Sequence, residues 1–292
     1  MRTEFTDEEL YREDNLVRLR GFRPIDDTLF RAMVRDNKAL AEYILRVFLQ
    51  KPDLELEDLK VQADLKMVNG ARSLVLDVLA RGGDRSKYDL EVQKDNEGAD
   101  PRRARYHASV IDEQSSYQGE KFSDMIDIYV VFITENDVPG NGLALNPVER
   151  VYTKTGKLFN DGMHIMYVNG AYRGDDEVGQ LIHDFMCTDP DDMKNELMAR
   201  AAHHYKKESE GVREMCLTME KLRDESLKKG REEGRAEGRE EGRAESRTED
   251  VINLMESMSL DCETAMAVLK IKAEDRPAIK TLVEEKMQGV PA

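Results

Sequence analysis

The chain has 292 residues, 40% of them hydrophobic and 36% charged, with a formal net charge of −16 at pH 7. No apolar run approaches the ~18 residues that mark a transmembrane helix. The acidic opening MRTEFTDEELYREDNL is unlike a secretory leader, so a cytoplasmic protein without a membrane partner is expected. The negative balance argues against broad attraction to nucleic acid and leaves room only for a local basic groove.

Residues 1–20 read as an acidic segment ahead of a domain spanning 21–227. Asp26 or Asp27 is a plausible cap before TLFRAMVRDNKALAEYILRVFL. Leu29, Phe30, Met33, Leu40, Ile44, Leu45 and Phe48 recur there at helical spacing, with a break near Asp36 and Asn37. Strand-like segments follow: LKVQADLKMV, SLVLDVLA and KYDLEVQ, the last two separated by the turn signal Gly82-Gly83-Asp84. RRARYHASVIDEQSSYQG, from Arg102, predicts a helix, and MIDIYVVFIT, from Met125, a strand buried on both faces. HIMYVNGAY gives a further strand, and Glu177–Met186 and Met193–Leu227 read as helices. This order predicts an α/β domain, a central mixed sheet flanked by helices. The three cysteines are odd in number, far apart and free of any C-x-x-C pairing, which suits reduced thiols.

Residues 228–248 repeat glycine and arginine every four positions (KKGREEGRAEGREEGRAESR). Four residues advance a helix by about 400°, so each stripe drifts only about 40° per repeat. The segment reads either as a solvated, salt-bridged arm or as a glycine ridge for close approach of a second helix. Residues 249–292 predict a small helical module suited to self-association or partner binding.

The chemistry centres on two carboxylates. If SLVLDVLA and KYDLEVQ form a hairpin around a Gly82–Ser86 loop, Arg81 faces Lys87, Leu79 faces Asp89 and Asp77 faces Glu91. Alternation puts Val75, Asp77 and Leu79 on one face, and Asp89, Glu91 and Gln93 together on the next strand. Opposed like charges about 5 Å apart destabilise a sheet. A divalent cation between them relieves the repulsion, and oxygen ligands suit Mg2+ or Mn2+. Two other arrangements also answer it: a wet, exposed face, or pairing with Arg72, Arg85 or Lys87. The five histidines show no metal-ligand spacing.

Asp77, a gap, then Glu91-Val92-Gln93 resembles the PD-(D/E)XK nuclease core in the variant where glutamine replaces the motif lysine. The wider pattern is similar to that of the recombination-promoting nuclease and transposase family. Asp27, Phe30 and Arg31 match its Asp-x-x-Phe-basic opening, RRARYHASVIDEQSSYQGEKFSDM its helix after the core, and MIDIYVVFIT its next strand. The resemblance covers roughly residues 24–195, and the charged arm and helical end resemble the family's tails. It implies a mixed sheet between helices and metal-dependent phosphodiester hydrolysis. Asp77 and Glu91 would be metal ligands, with the Val92 backbone carbonyl completing the shell. Asp27 is a candidate for a second ion, and equally a helix cap. Gln93, unlike lysine, brings no charge; it can only hydrogen-bond, orienting a water. Lys94 is an auxiliary candidate expected to point to the opposite side of the pleat unless the strand frays there. Arg102, Arg103 and Arg105 are candidates for DNA contact or are plain solvent-facing helix residues, with Gln114 as a further auxiliary.

These residues suit a Mg2+-dependent DNA endonuclease with DNA as partner and C-terminal helices available for homo-oligomerisation. The alternative is a nuclease-fold scaffold, catalytically weak or inactive, to which Gln93 and the negative charge both point. Nothing in the sequence separates DNA from RNA substrates.

Overall fold

Alternating apolar residues between two turn-forming segments specify a hairpin, and the computed structural model contains it in the predicted register. The structure describes residues 5–65 and 74–287; Arg72 and the end of the LKVQADLKMV segment lie outside the described residues. The chain divides into two compact units, Glu4–Glu220 and a C-terminal one from Lys221. Within the first unit, β2 (Leu74–Gly82) and β3 (Lys87–Gln93) pair antiparallel with Arg81 opposite Lys87 and Leu79 opposite Asp89. Gly82 N–H donates to the Ser86 carbonyl across the four-residue turn at 2.9 Å.

The sheet has six strands in the order β1-β2-β3-β4-β6-β5. β1 (Leu56–Leu65) extends the hairpin antiparallel, β4 (Ile128–Thr134) and β6 (Met163–Asn169) run parallel to β3, and β5 (Leu145–Val148) closes the far edge antiparallel. Every residue of β4 is buried, as a strand covered by helices on both faces requires. The parallel alignment sets Gln93 beside Thr134, and Thr134 beside Asn169. Three carboxyl ends therefore finish at one level.

One sheet face packs on α3 (Asp27–Val34), α4 (Lys38–Leu49), α6 (Glu177–Met186) and α7 (Glu196–Lys207). α3 and α4 separate at Asp36, which takes the left-handed conformation (φ 56°), and Asn37 caps α4 by accepting from Leu40 N–H. Phe185 lies 5.8 and 5.9 Å from the rings of Phe30 and Phe48. Each of these fully buried aromatics contributes ~1.5–3 kcal/mol from burial alone. The other face packs on α5 (Pro101–Ser115) through Ala104, Ala108, Val110 and Ile111.

The acidic segment ahead of residue 21 is part of this unit. It forms α1 (Asp7–Leu10) and α2 (Glu13–Gly21), burying Leu10 and Leu19 in the core, and the Asn15 amide donates to Glu220 at 2.8 Å.

β1 and β2 depart from simple alternation. Val61, Val78 and Ala80 join the core shared with α3 and α4, whereas Ala63, Leu65, Leu74 and Leu76 join the core under α5. The change falls at Gln62 and Asp77. Gln62 has a left-handed backbone (φ 53°), and pairing resumes on either side of it, Val61 with Val78 and Ala63 with Leu76. The expectation that Val75, Asp77 and Leu79 share one regular face therefore fails: Val75 is half exposed, whereas Leu79 packs toward α5.

α8 (Ser209–Met258) buries Met215, Cys216 and Met219 in the first unit's core. In the second unit its Val251 packs with Ala265 and Met266 of α9 (Cys262–Val268) and Ile279 and Val283 of α10 (Arg276–Met287). Between these ends the charged repeat is an exposed helix. Among the described residues no helix is long and apolar enough to cross a membrane.

Candidate active site

The β2–β3 ladder stops at Val78 and Leu90. One position further, side chains replace it. Asp77 N–H donates to Glu91 Oε1 at 2.9 Å, and Val92 N–H donates to Asp77 Oδ2 at 3.3 Å. The two carboxylates singled out by the sequence are thus brought together where the strands part. Glu91 is almost fully buried, and Asp77 retains 14% of its side-chain surface. A cleft of about 450 Å³ opens over Asp77, lined also by Val92, Gln93, Lys94, Arg103 and Asp27, with Arg18, Phe22 and Asp26 on one wall; Glu91 lies beneath its lining.

Electrostatics agree with this crowding. Burial raises the Asp77 carboxyl above its ordinary range, an effect opposed by Arg31, 3.6 Å away, and by the Val92 N–H. Glu91 is raised well above, by burial first and then by the charges of Asp89 and Asp77. Asp89 is also raised well above, chiefly by burial. Three carboxylates converge with Arg103 and Arg31 as nearby cations, and Arg31 is shared with Asp27 at 2.8 Å. Such a site favours protons or a cation.

Gln93, at the end of β3, reaches Glu91 Oε2 at 3.4 Å and accepts from Arg103 at 3.4 Å. Gly98 leaves room for it, because a Cβ there would collide with the Gln93 side-chain oxygen. Lys94 lies where the strand has already ended. β3 ends at Gln93, so the pleat no longer dictates its direction. Its ammonium turns to Asp26 at 2.7 Å on the cleft wall. Asp26 is the residue preceding α3, but it makes no side-chain cap; it accepts instead from Lys94 and from Arg23 N–H at 2.7 Å. Asp27 is half exposed at the cleft mouth and ion-paired to Arg31.

The three helix arginines divide. Arg103 enters the site and binds Glu91 Oε2 at 2.9 Å. Arg102 and Arg105 are exposed, Arg102 lining a separate cavity of about 610 Å³ on the α5 side. Gln114, also exposed, lies eleven residues beyond Arg103, ~16 Å along the helix axis.

Two residues of the site escaped sequence reasoning. Asp89 and His107 are fully buried, with His107 Nδ1 2.7 Å from Asp89 Oδ2, and a ligand atom from each lies within 4.8 Å of one on Glu91. Burial pushes the His107 imidazole down to about 4. Asp89 Oδ1 is buried with no hydrogen-bond partner among the described residues. The available signals were the shared strand face of Asp89 and Glu91, and the four-residue helical spacing of Arg103 and His107, which stacks them on one side of α5.

A model of the PD-(D/E)XK nuclease family transposases matches residues 24–171, slightly more than half of the chain. The matched span runs from the entry to α3 to just past β6 and contains Asp27, Asp77, Glu91, Gln93 and Arg103. No curated protein and no solved structure matches the chain. With the mixed sheet, its flanking helices and the paired carboxylates at the strand fork, the chain belongs to the PD-(D/E)XK nuclease family transposases.

Proposed function

We propose that the protein is a metal-dependent DNA endonuclease that hydrolyses phosphodiester bonds in recombination or transposition. One observation carries the reading: Asp77 and Glu91 converge at the fork between β2 and β3, each accepting a backbone N–H from the other's strand. The donor set fits a hard divalent ion. A carboxylate offers about four lone-pair sites, so the hydrogen bonds seen leave capacity on both groups. In an extended strand a residue's N–H and C=O point to the same side. Val92 sends its N–H to Asp77, so its carbonyl faces the same gap.

Asp77, Glu91 and the Val92 carbonyl would hold Mg2+ or Mn2+, which prefer oxygen ligands and retain waters. When bound, such an ion lowers the pKa of its water and stabilises charge building on the phosphate. Gln93 accepts from Arg103 and donates toward Glu91, a position from which it orients a water by hydrogen bonding alone. Arg103 and Lys94 bring positive charge to the cleft and would meet the scissile strand's phosphates. Asp27, at the mouth, is placed for a second ion or a water bound to one. Arg102 and Arg105, exposed on the same helix, would meet flanking phosphates. The C-terminal helices supply the surface for homo-oligomerisation.

A second reading, a nuclease-fold scaffold, is favoured by Arg103 occupying Glu91 where Gln93 supplies no charge. Plasmid nicking with Mg2+ by wild type, Asp77→Ala and Glu91→Ala separates the two. Cleavage by wild type alone supports the nuclease. Equal cleavage by all three rejects the site, and Mn2+ binding by calorimetry without cleavage supports the scaffold.

A further inference from the structure

Arg103 is held from three directions, and the Gln93 side-chain oxygen also accepts from it at 3.4 Å. Its Nε–H donates to His107 Nε2 at 3.1 Å, one terminal nitrogen donates to the Gly98 carbonyl at 3.0 Å, and the other meets Glu91 Oε2 at 2.9 Å. A guanidinium is a donor only, so His107 Nε2 must be the bare nitrogen. The ring proton then sits on Nδ1, facing Asp89 Oδ2 at 2.7 Å. Asp89 thereby fixes the tautomer that lets His107 accept from Arg103. Both Asp89 and His107 are fully buried, while the Arg103 side chain keeps 38% of its surface at the cleft.

We propose that His107, oriented by Asp89, is a positioning residue that acts through Arg103. It keeps the guanidinium at the cleft wall, where it touches Glu91 with one terminal nitrogen instead of closing on it as a two-pronged pair. The proposal rests on the reading of Asp77 and Glu91 as a cation site. Guanidinium and carboxylate readily form bidentate pairs. A guanidinium released from His107 is free to swing onto both Glu91 oxygens and block an ion. Held, it engages only Oε2 of Glu91, leaves Oε1 to the Asp77 N–H, and keeps its exposed surface available to a phosphate.

This arrangement makes the effects of the two residues opposite in sign. Arg103→Ala removes a positive charge beside the ion and should tighten Mn2+ binding several-fold. His107→Leu should weaken it by about tenfold, in the range seen when the partners of metal ligands are removed. In an Arg103→Ala background, His107→Leu should then have no further effect. His107→Gln, whose amide oxygen can accept from Nε–H, should restore affinity to within about threefold of wild type.

The test is Mn2+ calorimetry on the full chain for these four variants, with circular dichroism to confirm folding and Asp77→Ala and Glu91→Ala as references. A His107→Leu penalty that persists undiminished without Arg103 overturns the proposal and points to a structural role or to direct ligation by His107. Mn2+ binding that is absent in wild type, or unchanged in both references, overturns the cation-site reading instead. In either case, NMR exchange of the Arg103 Nε–H tests the hold on Arg103 without metal. It should be protected in wild type and in His107→Gln and unprotected in His107→Leu; an unprotected Nε–H in wild type overturns the proposal by itself.

Discussion

Asp77 N–H donates to the carboxylate of Glu91 at 2.9 Å, while the Asp77 carboxylate turns back to the neighbouring strand. The fork is held by the groups whose charges oppose its closing. Asp77→Asn keeps an oxygen for Val92 N–H and removes one of the converging charges, and Arg31 retains Asp27. We expect the thermal midpoint to stay level or rise, corresponding to ~1 kcal/mol, as often happens when active-site charge is removed. Mn2+ affinity should fall about tenfold or more, equivalent to at least ~1.4 kcal/mol. Calorimetry beside a melting curve checks both; a large loss of stability with intact metal binding contradicts the assignment.

Gly98 offers a cleaner perturbation of Gln93. A methyl group there meets only the tip of a flexible side chain, so Gly98→Ala should cost under ~1 kcal/mol. Gln93 must move, however, and displacements of about 1 Å near reacting groups can cost 100-fold in rate. Cleavage should drop ~10- to 100-fold with Mn2+ affinity preserved. Gly21→Ala, where no described atom lies within 4 Å of the added Cβ, serves as the control and should cleave like wild type.

Burial holds His107 at about 4, against 6.5 for a free imidazole. On acidification the unfolded chain therefore binds this proton first. The contribution is present above pH 6.5 and is lost as the pH falls toward 4, up to ~3 kcal/mol in all. Asp77, Glu91 and Asp89, all raised by burial, run the other way: their contribution is present at low pH and is lost as pH rises through their folded values. The comparison that isolates the histidine is wild type against His107→Gln in urea titrations between pH 4 and 7. Their stability difference should shift toward the wild type as pH rises; parallel curves would show that His107 does not titrate there.

The exposed repeat of α8 gives a fourth expectation. No described atom lies within 4 Å of a Cβ placed on Gly230, Gly234, Gly238 or Gly242, so alanine fits at each. The four replacements together should stabilise the helix by ~3–4 kcal/mol, at ~0.8–1.0 kcal/mol each. Helicity by circular dichroism should rise while the mass in sedimentation stays constant. A fall in mass would instead identify the glycine edge as a contact between copies of the chain.

The hairpin register was legible because a glycine turn fixed one end and alternation fixed the rest; Arg81 meets Lys87 as predicted. The all-apolar β4 was legible for its composition. β5 was not, being four residues long with Pro147 inside it, a residue that sheets admit mainly at edges. The direction of Lys94 was not legible because a period-two argument lapses once the strand ends at Gln93. Asp89 and His107 left only indirect signals in the sequence, because their contact is tertiary: it depends on α5 packing on the sheet, where Ala104 and Ala108 are buried. The acidic opening hid its role because Leu10 and Leu19 are too few among charges to announce a core.

Gln62 bears a conformation that costs an ordinary side chain ~1–2 kcal/mol, and it stands across from Asp77 between two regular pairings. That local twist lets one ribbon serve two oily compartments in succession, and its crossover lands on a residue that belongs fully to neither. An acid can sit there without unbalancing either packing layer. Gln62→Gly should relieve the backbone and leave the crossover in place, whereas Gln62→Val, ill-suited to positive φ, would straighten the ribbon and send Leu74 and Leu76 toward the wrong layer.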